Sequence, residues 1–90
     1  MEIINVFIGD KLKAFREKRK MTQEELADRI NLSRASIVNM EEGRHTILLK
    51  RLYDIANVFD IEVIDFLPDE KWVEKNKGKK VRKIITYEFY

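Results

Sequence analysis

Apolar residues recur three and four apart over the first two thirds of the chain, the spacing of one face of an α-helix. Between Phe7 and Lys20 the repeat is Ile8, Leu12 and Phe15, set among Arg16, Lys18, Arg19 and Lys20. This predicts a first helix, opened by Asn5 or Asp10 and ended by Met21. Thr22 and Glu25 then have the spacing of a capping box, in which the threonine oxygen takes the Glu25 amide and the glutamate reaches back. They open a second helix that turns Leu26, Ala27 and Ile30 inward. Asn31 stands where the chain must turn sharply, and asparagine tolerates the left-handed conformation better than most residues. Leu32 tucks under that turn. Ser33 caps a third helix with Ile37 and Met40 on its buried side, and Gly43 supplies a left-handed stop.

Arg44 to Ile47 form a short loop in which Thr46 can cap a fourth helix. Its apolar stripe is Leu49, Leu52, Ile55, Ala56 and Phe59, and Asp60 ends it. Val63 to Leu67 predict a short fifth helix, stopped by Pro68. Beyond Pro68 the pattern changes in kind. Lys71 to Lys75 and Lys80 to Tyr90 are rich in β-branched and aromatic residues, and Asn76-Lys77-Gly78-Lys79 between them is a turn signal. A β-hairpin is expected there, or a strand that pairs elsewhere.

Ninety residues make one domain with a modest core. A composition of 44% hydrophobic and 38% charged residues fits a soluble globular domain rather than a disordered one. No cysteine is present, so neither a disulfide framework nor a thiolate metal site is expected. The one histidine, His45, builds no metal cluster alone. No apolar run approaches the roughly 18 residues of a membrane span. The opening Met-Glu-Ile-Ile-Asn-Val-Phe lacks the basic region and cleavage site of a signal peptide, so a cytoplasmic location is expected. Net charge is +2, unevenly spread: residues 1–67 hold 11 Lys/Arg against 12 Asp/Glu, and residues 68–90 hold 7 against 4. The basic tail reads either as a solubilising surface or as an attractor of phosphates.

Thr22 to Glu42 thus reads as two short helices joined by a tight turn, and the second exposes Arg34, Ala35, Ser36, Val38 and Asn39. That is the layout of a helix-turn-helix, whose second helix enters the DNA major groove. Residues 8–67 resemble the lambda-repressor-like (XRE, Cro-type) helix-turn-helix family. The resemblance is carried by L-K-A-F-R-E-K-R-K-M-T-Q-E-E-L-A, by I-N-L-S-R-A-S-I-V-N-M-E-E-G and by L-Y-D-I-A-N-V-F-D-I. Ala27 belongs to it because the third helix crosses close above a small residue there. Asn31 and Asp60 depart from it, since the family often has glycine at both.

The resemblance implies roles. Gln23 matches a glutamine that contacts a DNA phosphate and braces the recognition helix. Arg34, Ala35 and Asn39 match positions that face base edges, with Ser36 and Val38 flanking them. Arginine can pair bidentately with guanine O6 and N7, asparagine with adenine N6 and N7, and an alanine methyl can touch thymine. Arg44, His45 and Thr46 match a loop that lies along the sugar-phosphate backbone, positioning without reading. Arg16 and Glu41 match an ion pair that joins the first helix to the end of the third.

The fold expected is mainly α: a five-helix lambda-repressor-like DNA-binding domain over residues 1–67. Residues 68–90 would add a basic, aromatic C-terminal β-strand or β-hairpin. Trp72, Tyr87, Phe89 and Tyr90 would either cover the helical core or join two copies, since Val81 to Tyr90 has no clean polar face. The function expected is a sequence-specific transcriptional regulator binding double-stranded DNA. It would be a repressor that occludes a promoter, bound as a homodimer to a near-palindromic operator through residues 33–42. An antitoxin whose tail clamps a protein partner and whose helices regulate its own operon is the alternative. No nucleophile with a histidine base, metal cluster or glycine-rich phosphate loop points to an enzyme, and no cofactor or metal is expected.

Overall fold

Thr22 and Ser33 start two consecutive helices by the same chemistry: each hydroxyl accepts a backbone N–H that the first turn of a helix leaves without a partner. Thr22 Oγ1 accepts from Glu25 N at 3.0 Å while Thr22 N donates to Glu25 Oε1 at 3.2 Å, a complete capping box. Ser33 Oγ accepts from Ser36 N at 3.1 Å. The computed structural model describes residues 2–78. Its elements are α1 (Ile3–Lys18), α2 (Gln23–Arg29), α3 (Arg34–Glu41), α4 (Leu49–Phe59), a 3₁₀ turn (Val63–Phe66) and α5 (Glu70–Lys75).

Left-handed residues punctuate the helices. Lys20 (φ 54°), Asn31 (φ 56°), Gly43 (φ 73°) and Asp60 (φ 57°) each turn the chain after a helix. Asparagine and aspartate carry the turns at 31 and 60, where short polar side chains make the conformation tolerable. Behind Asn31, Leu32 N returns to Ala27 O at 2.9 Å and closes the turn between α2 and α3.

α2 has seven residues and α3 eight. Helices this short do not persist alone, since about 12–15 residues are marginal in water. Packing holds them. α3 lies against both α1 and α2, α4 against α2, and the 3₁₀ turn against α1 and α4. Between them Leu12, Leu26, Ile37, Ile55, Phe59 and Phe66 are almost wholly buried, each worth roughly 1.5–3 kcal/mol of transfer energy. Phe15, Phe59 and Phe66 form an aromatic triangle with ring centroids 5.6–6.4 Å apart. Arg19 seals one corner: its Nε and Nη2 donate to Phe59 O, the end of α4, while its guanidinium lies over the Phe15 and Phe59 rings.

Several boundaries differ from expectation. α1 starts at Ile3, before Phe7, with no side-chain cap at Glu2. It stops at Lys18, and Met21 N reaches back to Arg16 O at 3.2 Å. Thr46 does not cap α4, which opens at Leu48 without a side-chain cap; its hydroxyl instead accepts from Asn5 Nδ2 at 3.3 Å. The expected fifth helix is a single 3₁₀ turn whose one fully buried residue is Phe66.

The C-terminal extension is the larger correction. Among the described residues there is no strand, and Lys71–Lys75, expected as half of a hairpin, lie in α5. Asp69 Oδ1 accepts from Trp72 N at 2.7 Å and starts the helix, with Glu70 in its first turn. Asn76 Nδ2 donates to Trp72 O at 2.8 Å and closes it. Trp72 packs on Phe7 of α1 with centroids 4.7 Å apart. The cap and this contact override the β-propensity of Trp72 and Val73, a weak preference that context routinely reverses. The segment expected as the second strand, Lys80 to Tyr90, lies outside the described residues.

Candidate nucleic-acid interface

α3 turns its residues outward by its own period. At about 100° per residue, Arg34, Ala35, Val38 and Asn39 share one arc roughly 140° wide. Ile37, opposite that arc, is buried among α1, α2 and α4 residues of the core. Arg34 and Ala35 are exposed, and Val38 and Asn39 half-buried. Ser36 sits at the edge of the arc, where its Oγ lies 3.0 Å from Ser33 Oγ, so the cap already occupies it.

Two grooves flank this face. One is lined by Arg16, Thr22, Gln23, Glu24 and Arg34, between the N-terminal ends of α2 and α3. The other lies on the far side of α3, with Ser36, Asn39 and Met40 on one wall and His45 to Leu48 on the other. The chain therefore presents a convex ridge of four side chains between two depressions.

The two arginines at this surface differ. Arg34 makes no hydrogen bond or ion pair among the described residues, which leaves its five N–H donors to solvent or a ligand. Arg44 is engaged: Nη2 lies 2.6 Å from Glu42 Oε2, and Nη1 donates to Asn39 Oδ1 at 3.3 Å. Its charge is partly neutralised, and it holds the Asn39 amide with the NH₂ group turned elsewhere. His45 and Thr46 are both exposed in the adjoining loop, and Thr46 is tied to Asn5.

Beside Arg34, at the edge of the ridge, lies a buried ionic cluster. Arg16 Nε donates to Glu41 Oε2 at 2.6 Å and Nη2 to Glu41 Oε1 at 3.1 Å, with the two residues 8% and 3% exposed. Arg16 Nη1 donates to Met21 O at 2.7 Å, and Gln23 Nε2 to Glu41 Oε1 at 3.0 Å. The Glu41 carboxylate, through its hydrogen bond and its charge, pushes the Arg16 guanidinium above its ordinary pKa against the opposing effect of burial. No buried side-chain polar atom among the described residues lacks a partner, which is what makes a buried charge pair tolerable. The cluster joins α1, the loop after it, α2 and the last residue of α3.

The family resemblance implies the pairing of Arg16 with Glu41 but not that Gln23 bonds the same carboxylate. Nor does it imply the ties from Asn5 to Thr46 and from Arg44 to Asn39. None leaves a local trace, because each joins residues from different elements or a loop whose path is set by packing.

Among the described residues no helix is long and apolar enough to cross a membrane. A family model described as Helix-turn-helix (HTH_3) matches residues 12–66. An uncharacterised HTH-type transcriptional regulator of Archaeoglobus fulgidus is 45% identical over 62 residues, covering 68% of this chain and 87% of that protein. The immunity repressor protein of Bacillus phage phi105 is 31% identical over 72 residues, covering 80% of this chain and half of the phage protein. Among solved structures, the restriction-modification controller protein C.AhdI from Aeromonas hydrophila superposes with a TM-score of 0.67. It is 27% identical, over 70% of this chain and 96% of that one. The DNA-binding domain of BldD, at 18% identity and a TM-score of 0.68, shares the fold.

Proposed function

The chain belongs to the helix-turn-helix family and is a DNA-binding transcriptional regulator, and from that premise we propose that α3 is its recognition helix, reading bases through Arg34, Ala35 and Asn39. The observation that carries this reading is the outward arc of α3, where Arg34 is exposed, has no partner among the described residues and shares a groove with Arg16 and Gln23 of the buried ionic cluster. Arg34 would pair with a guanine, Asn39 with an adenine and Ala35 with a thymine methyl. Val38 adds apolar contact, and Ser36 contributes at the edge of the arc while its hydroxyl serves the cap.

Phosphates would be held on either side of the ridge. Gln23, steadied by Glu41, faces one groove, and His45 and Thr46 border the other. Arg44 is a weaker phosphate ligand than an unpaired arginine, because Glu42 competes for it.

The protein acts as a repressor that occludes a promoter, in the cytoplasm, as a homodimer on a near-palindromic operator. The likeness to a phage immunity repressor supports the sign of regulation. Dimers of this motif set two recognition helices about 34 Å apart, one turn of DNA. Selection of bound duplexes from a random pool tests the proposal. Two half-sites about one turn apart, each losing one preferred base pair with Arg34→Ala, are expected. A pool that stays random overturns base reading, and a single unrepeated site overturns the dimer.

A further inference from the structure

We propose that Gly9, together with Gly43, forms a seat on α1 that fixes the tilt of α3, making Gly9 a positioning residue for base reading. The inference rests on the reading of α3 as the recognition helix. Gly9 lies in the middle of α1, where glycine is a poor helix former and alanine would ordinarily be preferred. It is buried, and what surrounds it is backbone. A Cβ at this position would lie 2.4 Å from Met40 O and 2.7 Å from Glu41 O, in the last turn of α3.

The contact is matched from the other side. Gly43 ends the same turn at φ +73°, and a Cβ there would lie 2.7 Å from Val6 Cα and 2.8 Å from Val6 N. The C-terminal end of α3 and the first turns of α1 thus touch backbone to backbone across two glycines. Around them, Asn5, Gly9, Leu12 and Arg16 form one stripe at helical spacing along α1. Asn5 binds Thr46, Gly9 meets Met40 and Glu41, Leu12 enters the core, and Arg16 binds Glu41. Of these four, Gly9 alone sets how close α3 can come.

Closeness matters because readout is narrow. Side-chain hydrogen bonds occupy a donor–acceptor window of about 2.7–3.2 Å. Real Cβ atoms essentially never approach within 3.0 Å, so one at position 9 would push the 2.4 Å carbonyl away by at least about 0.6 Å. That exceeds the width of the window. The displacement acts on the C-terminal end of α3, so it moves Asn39, one residue from Met40, more than Arg34 at the other end.

The test uses the full chain and the duplex it selects from a random pool. Affinities of Gly9→Ala, Arg34→Ala and Asn39→Ala are measured on that duplex, on its single-base variants and on random DNA. Leu12→Val, which loosens the same helix without adding an atom at the contact, is the stability control. Gly9→Ala is expected to lose about tenfold on the selected duplex. It should lose its preference at the base pair that Asn39→Ala relaxes, keep it at the one Arg34→Ala relaxes, and bind random DNA unchanged. Wild-type affinity, a uniform loss on every duplex, or the pattern of Leu12→Val would overturn the seat alone. A wild type that selects no sequence would overturn the base-reading role as well. Should Gly9→Ala unfold, the comparison is made in sucrose, which favours the compact state. A variant still unfolded there would show a contact needed for folding as a whole, and the positioning role would fall.

Discussion

Arg16 and Glu41 are joined by two hydrogen bonds, 2.6 and 3.1 Å, although they stand at the far end of α1 and the last residue of α3. The pair ties the outward-facing helix to the element behind it, and Gln23 shares the carboxylate.

Removing one partner leaves a buried charge with no counter-charge. Glu41→Ala is expected to cost about 3–5 kcal/mol, whereas Arg16→Met with Glu41→Leu should cost far less, because both charges leave together. Urea denaturation of the three proteins measures this. A double variant as unstable as the single would show that the pair itself supplies the stability. The Arg16 pKa is raised in the folded state, so its contribution is fully present below its ordinary value and lost only above it. From the arginine side, stability should not change across about pH 5–9.

Arg34→Ala is expected to lose about 1–3 kcal/mol of specific binding and to relax one base pair. Equal losses on specific and random duplexes would contradict base reading. Arg44→Ala should act differently: it frees Asn39 as well as removing a charge. Its loss should therefore show partly at the base pair that Asn39→Ala relaxes.

Gln23→Ala should weaken binding to all sequences alike. Glutamine carries no charge, so the slope of affinity against salt should stay as in the wild type. The lost bond to Glu41 should also cost about 1 kcal/mol of stability, measurable by the same denaturation. A steeper or shallower salt slope would mean that other phosphate contacts had moved.

Ser33→Ala removes the cap of α3 and is expected to cost about 1 kcal/mol, while Ser33→Gly should cost only a few tenths. Equal effects would show that Ser33 acts through its contact with Ser36 Oγ rather than as a cap.

Trp72 is the chain's one tryptophan, so its fluorescence reports the docking of α5 on Phe7. Phe7→Ala should shift the emission to the red and lose about 0.5–1.5 kcal/mol beyond the area term. Truncation after Gly78 keeps α5 and its cap. The molar mass of that truncated chain by light scattering then tests whether residues 79–90 join two copies; an unchanged dimer would exclude them.

Much of the fold was legible because its signals are local. Thr22 with Glu25, and Ser33, mark helix starts by hydrogen bonds inside one turn. Asn31, Gly43 and Asp60 mark stops because the left-handed conformation selects such residues. The outward arc of α3 follows from its period and from Ile37. Lys71–Lys75 misled because Trp72 and Val73 favour strands in isolation, whereas Asp69, outside that run, starts a helix by accepting from Trp72 N. Gly9 was silent as well: a glycine inside a helical repeat looks like a weakness until its neighbours are seen.

By itself, then, the sequence determined where α2 and α3 begin, where α2, α3 and α4 stop and which residues α3 turns outward, since these depend on neighbours within a few positions. Only the tertiary structure decided how α3 is held. The carboxylate that Arg16 and Gln23 share, the Asn5–Thr46 bond and the backbone contact at Gly9 join residues far apart in the chain. Their partners are set by how the helices pack, and packing decides which of many possible pairs are close enough to bond.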